Sequence, residues 1–512
     1  MPDEKELTPA QKQQKQLEYV MRLNYQRIAK SIVQDLQNNR KESVLFQKYD
    51  KEKMVKFLAN PQQYEKQIRS MSRFLYDNSP QYKRLCKYMA GIPTLDYIIA
   101  PYNIPKNYNK NSFLVNYNKI VNLLERMNLK HEFNKIFTTC WYEDIFAGLY
   151  TETEDSFSIV KINPDYVQIS SVNDGCLTYS LDMSYFDTRQ YLLGSYGDTL
   201  KQMYYSYAGY TPILSNGKRG KKIKGNPNLR WQEPPNQICL KINEDQILYS
   251  SPPFASVFPD ILNLEDYKQI SKTGEFLDHY KLIAEKIPLN DDGTFQMDEE
   301  ICDKYYQQTC DNVSSSIGVI LTPMDIEPIS FTNTVASEHD AVNNAESAVY
   351  SSAGSSQMLF GGGDKSSSAI LELSTKNDES LAFGLVRQVE RWINRYIKQL
   401  NLPYSFKAKF LDTSIFNRDK MVDMYFKAAQ GGVPCKMALS ATLGYSPSDT
   451  INMGILENDV LKLTDNAFSK VLLSSNTQSG NDQGGRPTNK SEGKSLTESG
   501  EQTQEDDENS SK

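Results

Sequence analysis

Histidine is nearly missing from this chain: His131, His279 and His339 are the only three in 512 residues, and they fall in regions of quite different character. A histidine-based catalytic triad or a multi-histidine metal site needs such residues to converge, so neither is expected, and each histidine reads as a helix-surface residue. Cysteine is also sparse. Cys86, Cys140, Cys176, Cys239, Cys302, Cys310 and Cys435 are odd in number, scattered and without a C-x-x-C. That pattern reads as buried or free thiols of a reducing compartment, not as a disulfide framework or a zinc site. No run approaches the roughly 18 apolar residues of a membrane span. The start, MPDEKELTPAQKQQKQ, is charged throughout and has no signal-peptide core, so the expectation is a soluble protein retained where it is made, with no membrane partner. Basic excess is lacking too: the formal charge is -7 and the pI about 5.4, which argues against general electrostatic capture of nucleic acid. Carboxylate clusters such as Asp291 with Asp292, or Asp298 with Glu299 and Glu300, read as solvated faces. Nothing in the chain reads as an active site, and neither an enzyme nor a cofactor is expected.

What is present begins with SSQMLFGGGDKSSSAILELS, residues 355–374, where three glycines, a lysine and several serines invite comparison with a phosphate-binding loop. A P-loop requires G-x-x-x-x-G-K-[ST], so that the last glycine lets backbone amides wrap the phosphates. Here Asp364 occupies that glycine's place before Lys365 and Ser366, and its carboxylate would repel phosphate. The preceding SEHDAVNNAESAVYSSAG reads as helix, where a P-loop needs a buried strand. The stretch therefore reads as a glycine and serine loop between two helices.

Along the chain, residues 8–38 form a helical pattern with a threonine N-cap and Pro9 at the first helical position. Its first half is polar enough to be an exposed arm. Residues 51–101 hold further helical patterns dense in tyrosine and ending in YIIAPY; Tyr64, Tyr76, Tyr82, Tyr88 and Tyr97 read as the rim of a core or a subunit contact rather than as a base-stacking platform. From about 137 to 250 the texture changes to short β-like runs, IFAGLYTET, FSIVKI, DYVQISSV and LTYSLDMSYFD, an α/β platform. Within it GKRGKKIKG concentrates Lys218, Arg219, Lys221, Lys222 and Lys224; a phosphate contact is one reading and a solvated hairpin tip the favoured one.

Residues 260–286 put Ile261, Leu264, Tyr267, Ile270, Leu277, Tyr280, Ile283 and Ala284 on one helical stripe, stopped by Pro288. Residues 337–354 carry the small residues Ala341, Ala345 and Ala348 at helical spacing, which lets neighbouring helices approach closely. The segment between reads as a compact insertion with a short helix and two strand-like runs. NDESLAFGLVRQVERWINRYIKQLN predicts a helix with Leu381, Leu385, Val386, Val389, Trp392, Ile393 and Tyr396 on its apolar side. YSFKAKF alternates as a strand. Three shorter helices follow, with Gly431 and Gly432 ending the first and Gly444 the second. Beyond about 476 the chain has one aliphatic residue, Leu496, and is expected to be disordered.

The elements FLYDNSPQYKRLCKYMAG and DYIIAPY, the helix, insertion, helix, glycine loop and long helix of 256–400, and the polar tail GGRPTNKSEGKSLTESGEQTQ together resemble the portal proteins of tailed bacteriophages, the tail being similar to those of Gram-positive-host phages. The resemblance extends from about residue 40 to the C-terminus and rests on order and texture. It implies an α+β, mainly helical fold with an N-terminal arm (1–40), a wing (41–255), stem helices (256–286 and 336–354), a clip (287–335), a tunnel loop (355–375), a wing helix and strand (376–417) and a crown (418–475). It also implies a homododecamer at one capsid vertex of a virion assembled in the bacterial cytoplasm, whose axial channel passes double-stranded DNA during packaging and ejection. The implied partners are the terminase large subunit, a head-completion or adaptor protein, and the major capsid and scaffold proteins. Gly361, Gly362, Gly363, Asp364, Lys365 and Ser366 would form the tunnel loop, with Lys365 touching phosphates transiently and Asp364 keeping the contact weak. The rival expectations are a virion connector without a DNA channel and a nucleotide-dependent DNA enzyme.

Overall fold

A computed structural model describes residues 8, 10–22, 51–210, 224–278, 281–312, 317–324, 334–360 and 368–463, without the side chains of 272–283, 317–318, 334–340 and 368–370. The chain divides into two compact units, Met1–Ser448 and Asp449–Lys512.

The first unit opens with α1, residues 10–22. At its start the Thr8 amide donates to Gln11 Oε1 (3.1 Å), one half of a capping box, and the Thr8 carbonyl accepts the first helical bond from Lys12 (3.0 Å). The rest of the helical pattern to residue 38 lies outside the described residues. Next come α2 (Lys51–Ala59), α3 (Glu65–Asn78) and α4 (Pro80–Gly91). Ser79 caps α4 by accepting from the Tyr82 amide, with Pro80 at the first helical position, a placement that wastes no hydrogen bond.

Strand β1 (Tyr97–Asn103), α5 (Lys110–Arg126) and α6 (Leu129–Glu143) lead into β2 (Ile145–Glu152), β3 (Phe157–Ile162), β4 (Val167–Asn173) and β5 (Cys176–Asp182). After α7 (Asp198–Ala208) come β6 (Trp231–Gln232) and β7 (Gln237–Lys241). These strands form two antiparallel three-stranded sheets, β3-β2-β7 and β4-β5-β6. Between them lies a tyrosine-rich core containing Ile145, Leu149, Tyr179, Leu181, Phe186 and Tyr204. The Tyr179 hydroxyl finds the Gly148 carbonyl (2.8 Å), the partner a buried phenol requires. The five tyrosines of residues 64–97 are likewise buried or half-buried, with Tyr82 fully enclosed.

The long-range elements follow: α8 (Phe258–Asp278), β8 (Lys281–Lys286), α9 (Glu299–Asn312), β9 (Ile317–Thr322), α10 (Thr334–Ser352), α11 (Ser368–Gln399) and β10 (Ser405–Phe410). Then come α12 (Arg418–Gln430), α13 (Lys436–Thr442) and α14 (Pro447–Ile455). Strand β10 buries Phe406, Ala408 and Phe410 in strict alternation, as its sequence predicts, and pairs antiparallel with β1. YIIAPY is therefore a strand and not the end of a helical pattern. The glycines end α12 and α13 where expected, with Gly432 and Gly444 at positive φ.

Five further expectations are corrected. The helix read over 260–286 stops at Asp278, because KLIAEK pairs in parallel with IGVILT and strand pairing outweighs the helical spacing of Tyr280, Ile283 and Ala284. The insertion thus begins at 281, not 287. Along the same stripe Ile261 and Leu264 are fully buried, but Tyr267 (44%) and Ile270 (56%) are exposed. The loop placed at 355–375 is shorter, because Gln357–Phe360 form a 3-10 turn and α11 begins at Ser368. Leu381, placed on the buried side of that helix, is 57% exposed; Ala382 and Phe383 take the core-facing positions.

Candidate functional site

Helices α8 and α10 pack along each other and run antiparallel: Ser352, at the end of α10, donates to Asp260, at the start of α8 (2.6 Å). Of the small-residue stripe on α10, Ala345 is buried, Ala341 half-buried and Ala348 exposed, so the stripe serves partly the hairpin and partly the surface. Past the far end of α8 the chain builds β8, α9 and β9. Parallel strands cannot be joined by a tight turn, and α9 supplies the crossover.

At the near end, the segment before the glycine run is fixed. Phe360 stacks on Tyr350 of α10 (centroids 4.4 Å, 10°) and meets Tyr88 of α4 edge-on (5.2 Å). Arg84 spans the same residue twice, its guanidinium lying 5.6 Å from the Phe360 ring while Nη1 donates to the Phe360 carbonyl (2.9 Å). Gln357 is bonded to Ser347. On the other side of the run, the Tyr88 hydroxyl donates to Asp378 of α11 (2.9 Å). Asp378 is 2% exposed, and burial pushes its carboxyl up; burial and the Asp378 carboxylate push the Tyr88 phenol up. The start of α11 is tied further by Glu372, which pairs with Lys420 of α12 (2.7 Å). Gly361, Gly362, Gly363, Asp364, Lys365 and Ser366 themselves lie outside the described residues.

The basic stretch is only bounded. Lys218, Arg219, Lys221 and Lys222 lie outside the described residues, and Lys224 is exposed. Its flanks are pinched together: the Asn226 amide donates to the Tyr207 carbonyl (2.9 Å). Gly209 sits at φ +79°, where a Cβ would come within 2.4 Å of the Gly225 nitrogen, an approach only glycine permits.

Sequence reasoning missed the anchors Arg84, Tyr88, Tyr350 and Asp378, which are separated from their partners by up to 290 residues. The one local signal was QMLF, three apolar residues before a glycine run. Among the described residues no group of three His, Cys, Asp or Glu side chains is placed to hold a metal ion. Burial pushes the thiols of Cys86, Cys140 and Cys239 up, the opposite of what a nucleophilic cysteine needs. No helix among the described residues is long and apolar enough to cross a membrane.

No family model matches the chain, and no curated protein matches it. Among solved structures it is similar to a chain in the neck of an empty GTA particle computed with C6 symmetry, at 13% identity and a TM-score of 0.36, covering 71% of this chain and 94% of that one. It is also similar to a chain in the neck of a native GTA particle computed with C12 symmetry, at 13% identity and a TM-score of 0.38, covering 74% and 93%.

Proposed function

We propose that this chain is a portal-type subunit of a virus particle. Identical copies, twelve in the family it resembles, close into a ring at one capsid vertex, and double-stranded DNA passes along the axis inward at packaging and outward at ejection. In this reading the β8-α9-β9 module meets the packaging motor and then a head-completion protein, while the two-sheet region faces the capsid shell and scaffold. The chain itself hydrolyses nothing.

One observation carries the reading: an antiparallel α8–α10 hairpin leads at one end to a compact module and at the other to a glycine and serine segment held on both flanks by α4 and α11. A segment lining a bore whose contents slide must deform without gripping, which glycine and serine permit, provided its ends are fixed. The net charge of -7 per copy supports passage over retention.

Negative-stain electron microscopy of the purified protein tests this. End-on rings with a hole wide enough for a DNA duplex are expected. Closed assemblies without a bore would favour a connector that conducts no DNA. ATP hydrolysis by the purified chain, abolished by Lys365→Ala, would overturn the reading in favour of a nucleotide-dependent enzyme.

A further inference from the structure

Helix α1 sits on the β8-α9-β9 module. Val20 is its one buried described side chain and joins a cluster with Ile287, Phe295, Tyr306 and Val319. The Phe295 amide donates to Gln16 Oε1 (3.2 Å), and burial and the nearby Asp303 carboxylate of α9 push the Tyr19 phenol up. Gly293 turns at φ +77°, with the end of the Gln13 side chain of α1 beside it; the positive φ is what calls for glycine.

The two surfaces are complementary in charge. α1 carries Lys12, Lys15 and Arg22 against the single acid Glu18; Lys12 lies near Asp292, and Asp303 and Glu299 lie near Tyr19. Yet the fit is incomplete. Leu17 (37%) and Met21 (65%) remain exposed on α1, and Asp303 Oδ1 is buried without a hydrogen-bond partner. A buried carboxylate oxygen left unsatisfied is costly, and a helix bringing a lysine or arginine to it would fit better than α1 does.

We infer that this face of the module is a receptor for a basic amphipathic helix of a partner protein, and that residues 10–22 occupy it in the partner's absence as a tethered competitor. The inference is independent of the ring reading, since it concerns one chain. Tethering keeps the competitor at a high effective concentration, so a free helix binds well only when the arm is released.

The test is fluorescence anisotropy with a labelled peptide of residues 8–22 as probe. It is titrated into the full chain, the full chain carrying Val20→Asp, and a chain lacking residues 1–22. Both altered chains are expected to bind the peptide at least tenfold more tightly than the unaltered one, less tightly at high salt, and Asp303→Lys added to the truncated chain should remove the gain. Equal affinity for all three chains, no binding to any, or equal binding of a scrambled peptide would overturn the inference.

Discussion

Among single residues, the charges with most influence on stability are those buried between elements. Arg69 is 1% exposed and bonds Asp165 through Nη2 (2.9 Å) and Nε (3.0 Å). Arg73, one turn along α3, reaches Asp165 (3.1 Å) and Glu143 (2.8 Å), and Lys161 closes on Glu143 (2.9 Å). Burial alone would raise Asp165, but Arg69 and Arg73 outweigh it and hold the carboxyl below its ordinary range. Since the folded value is the lower one, this stabilisation is present above the unfolded value of about 3.9 and is lost as pH falls through the folded one. The melting temperature should therefore fall between pH 5 and 3 in the native chain and fall less steeply in Asp165→Asn; parallel curves would refute the assignment. A second buried pair joins Lys241 to Asp144, both fully enclosed, with Asp144 also accepting from the amides of Asn243 (3.0 Å) and Ser251 (3.1 Å). Removing only the cation leaves a carboxylate that burial already pushes up, so Lys241→Met should cost roughly 3–5 kcal/mol in denaturant unfolding. Adding Asp144→Asn, which keeps an acceptor and suits φ +68°, should recover part of the loss. None of these partners was legible in the sequence, because ion pairs 18 to 97 residues apart leave no periodicity.

Elements were legible where one local period met one buried face. Strand β10 alternates in sequence and in burial, and α11 keeps Leu385, Val386, Val389, Trp392, Ile393 and Tyr396 buried as its spacing predicts. Reading failed where a distant strand decided the outcome: β1 needs β10 and β8 needs β9, and neither partner announces itself to the other. Of the candidate site the hairpin was legible and the anchors were not, for the same reason; the glycines lie outside the described residues. That division separates two predictions. Phe360→Ala removes the ring contacts with Tyr350 and Tyr88 and should speed amide hydrogen exchange over residues 347–360; unchanged exchange would mean that the stack does not hold the segment. On the portal reading proposed above, replacing Gly361, Gly362 and Gly363 with alanine leaves the anchor residues unchanged and should leave rings intact while DNA packaging is impaired. Loss of ring formation would contradict the tunnel assignment.

For the whole molecule, the surface of a single chain is the argument for company. Tyr267 and Ile270 on α8 and Met424 and Phe426 on α12 are between 44% and 56% exposed, and α12 has no buried residue. In the second unit none of the described residues 449–463 is buried, although Ile451, Met453, Ile455, Leu456, Val460 and Leu461 are among them. Scattered exposed leucines are ordinary, but apolar residues recurring along successive helices mark surfaces that meet another protein. If that protein is a second copy, a charge placed there must act on assembly and not on folding. Phe426→Asp and Ile455→Asp, each replacing a side chain about half exposed (52% and 49%), should shift the protein from rings toward monomers in light scattering. The melting temperature of the monomeric fraction should stay within a few degrees of the native monomer's, because a solvent-exposed substitution costs little inside one chain, within about 0.5 kcal/mol. Intact rings in both variants would move the interface elsewhere, to Tyr267, Ile270 and Ala348 along the α8–α10 hairpin, where the same substitution can be made and the same measurement repeated.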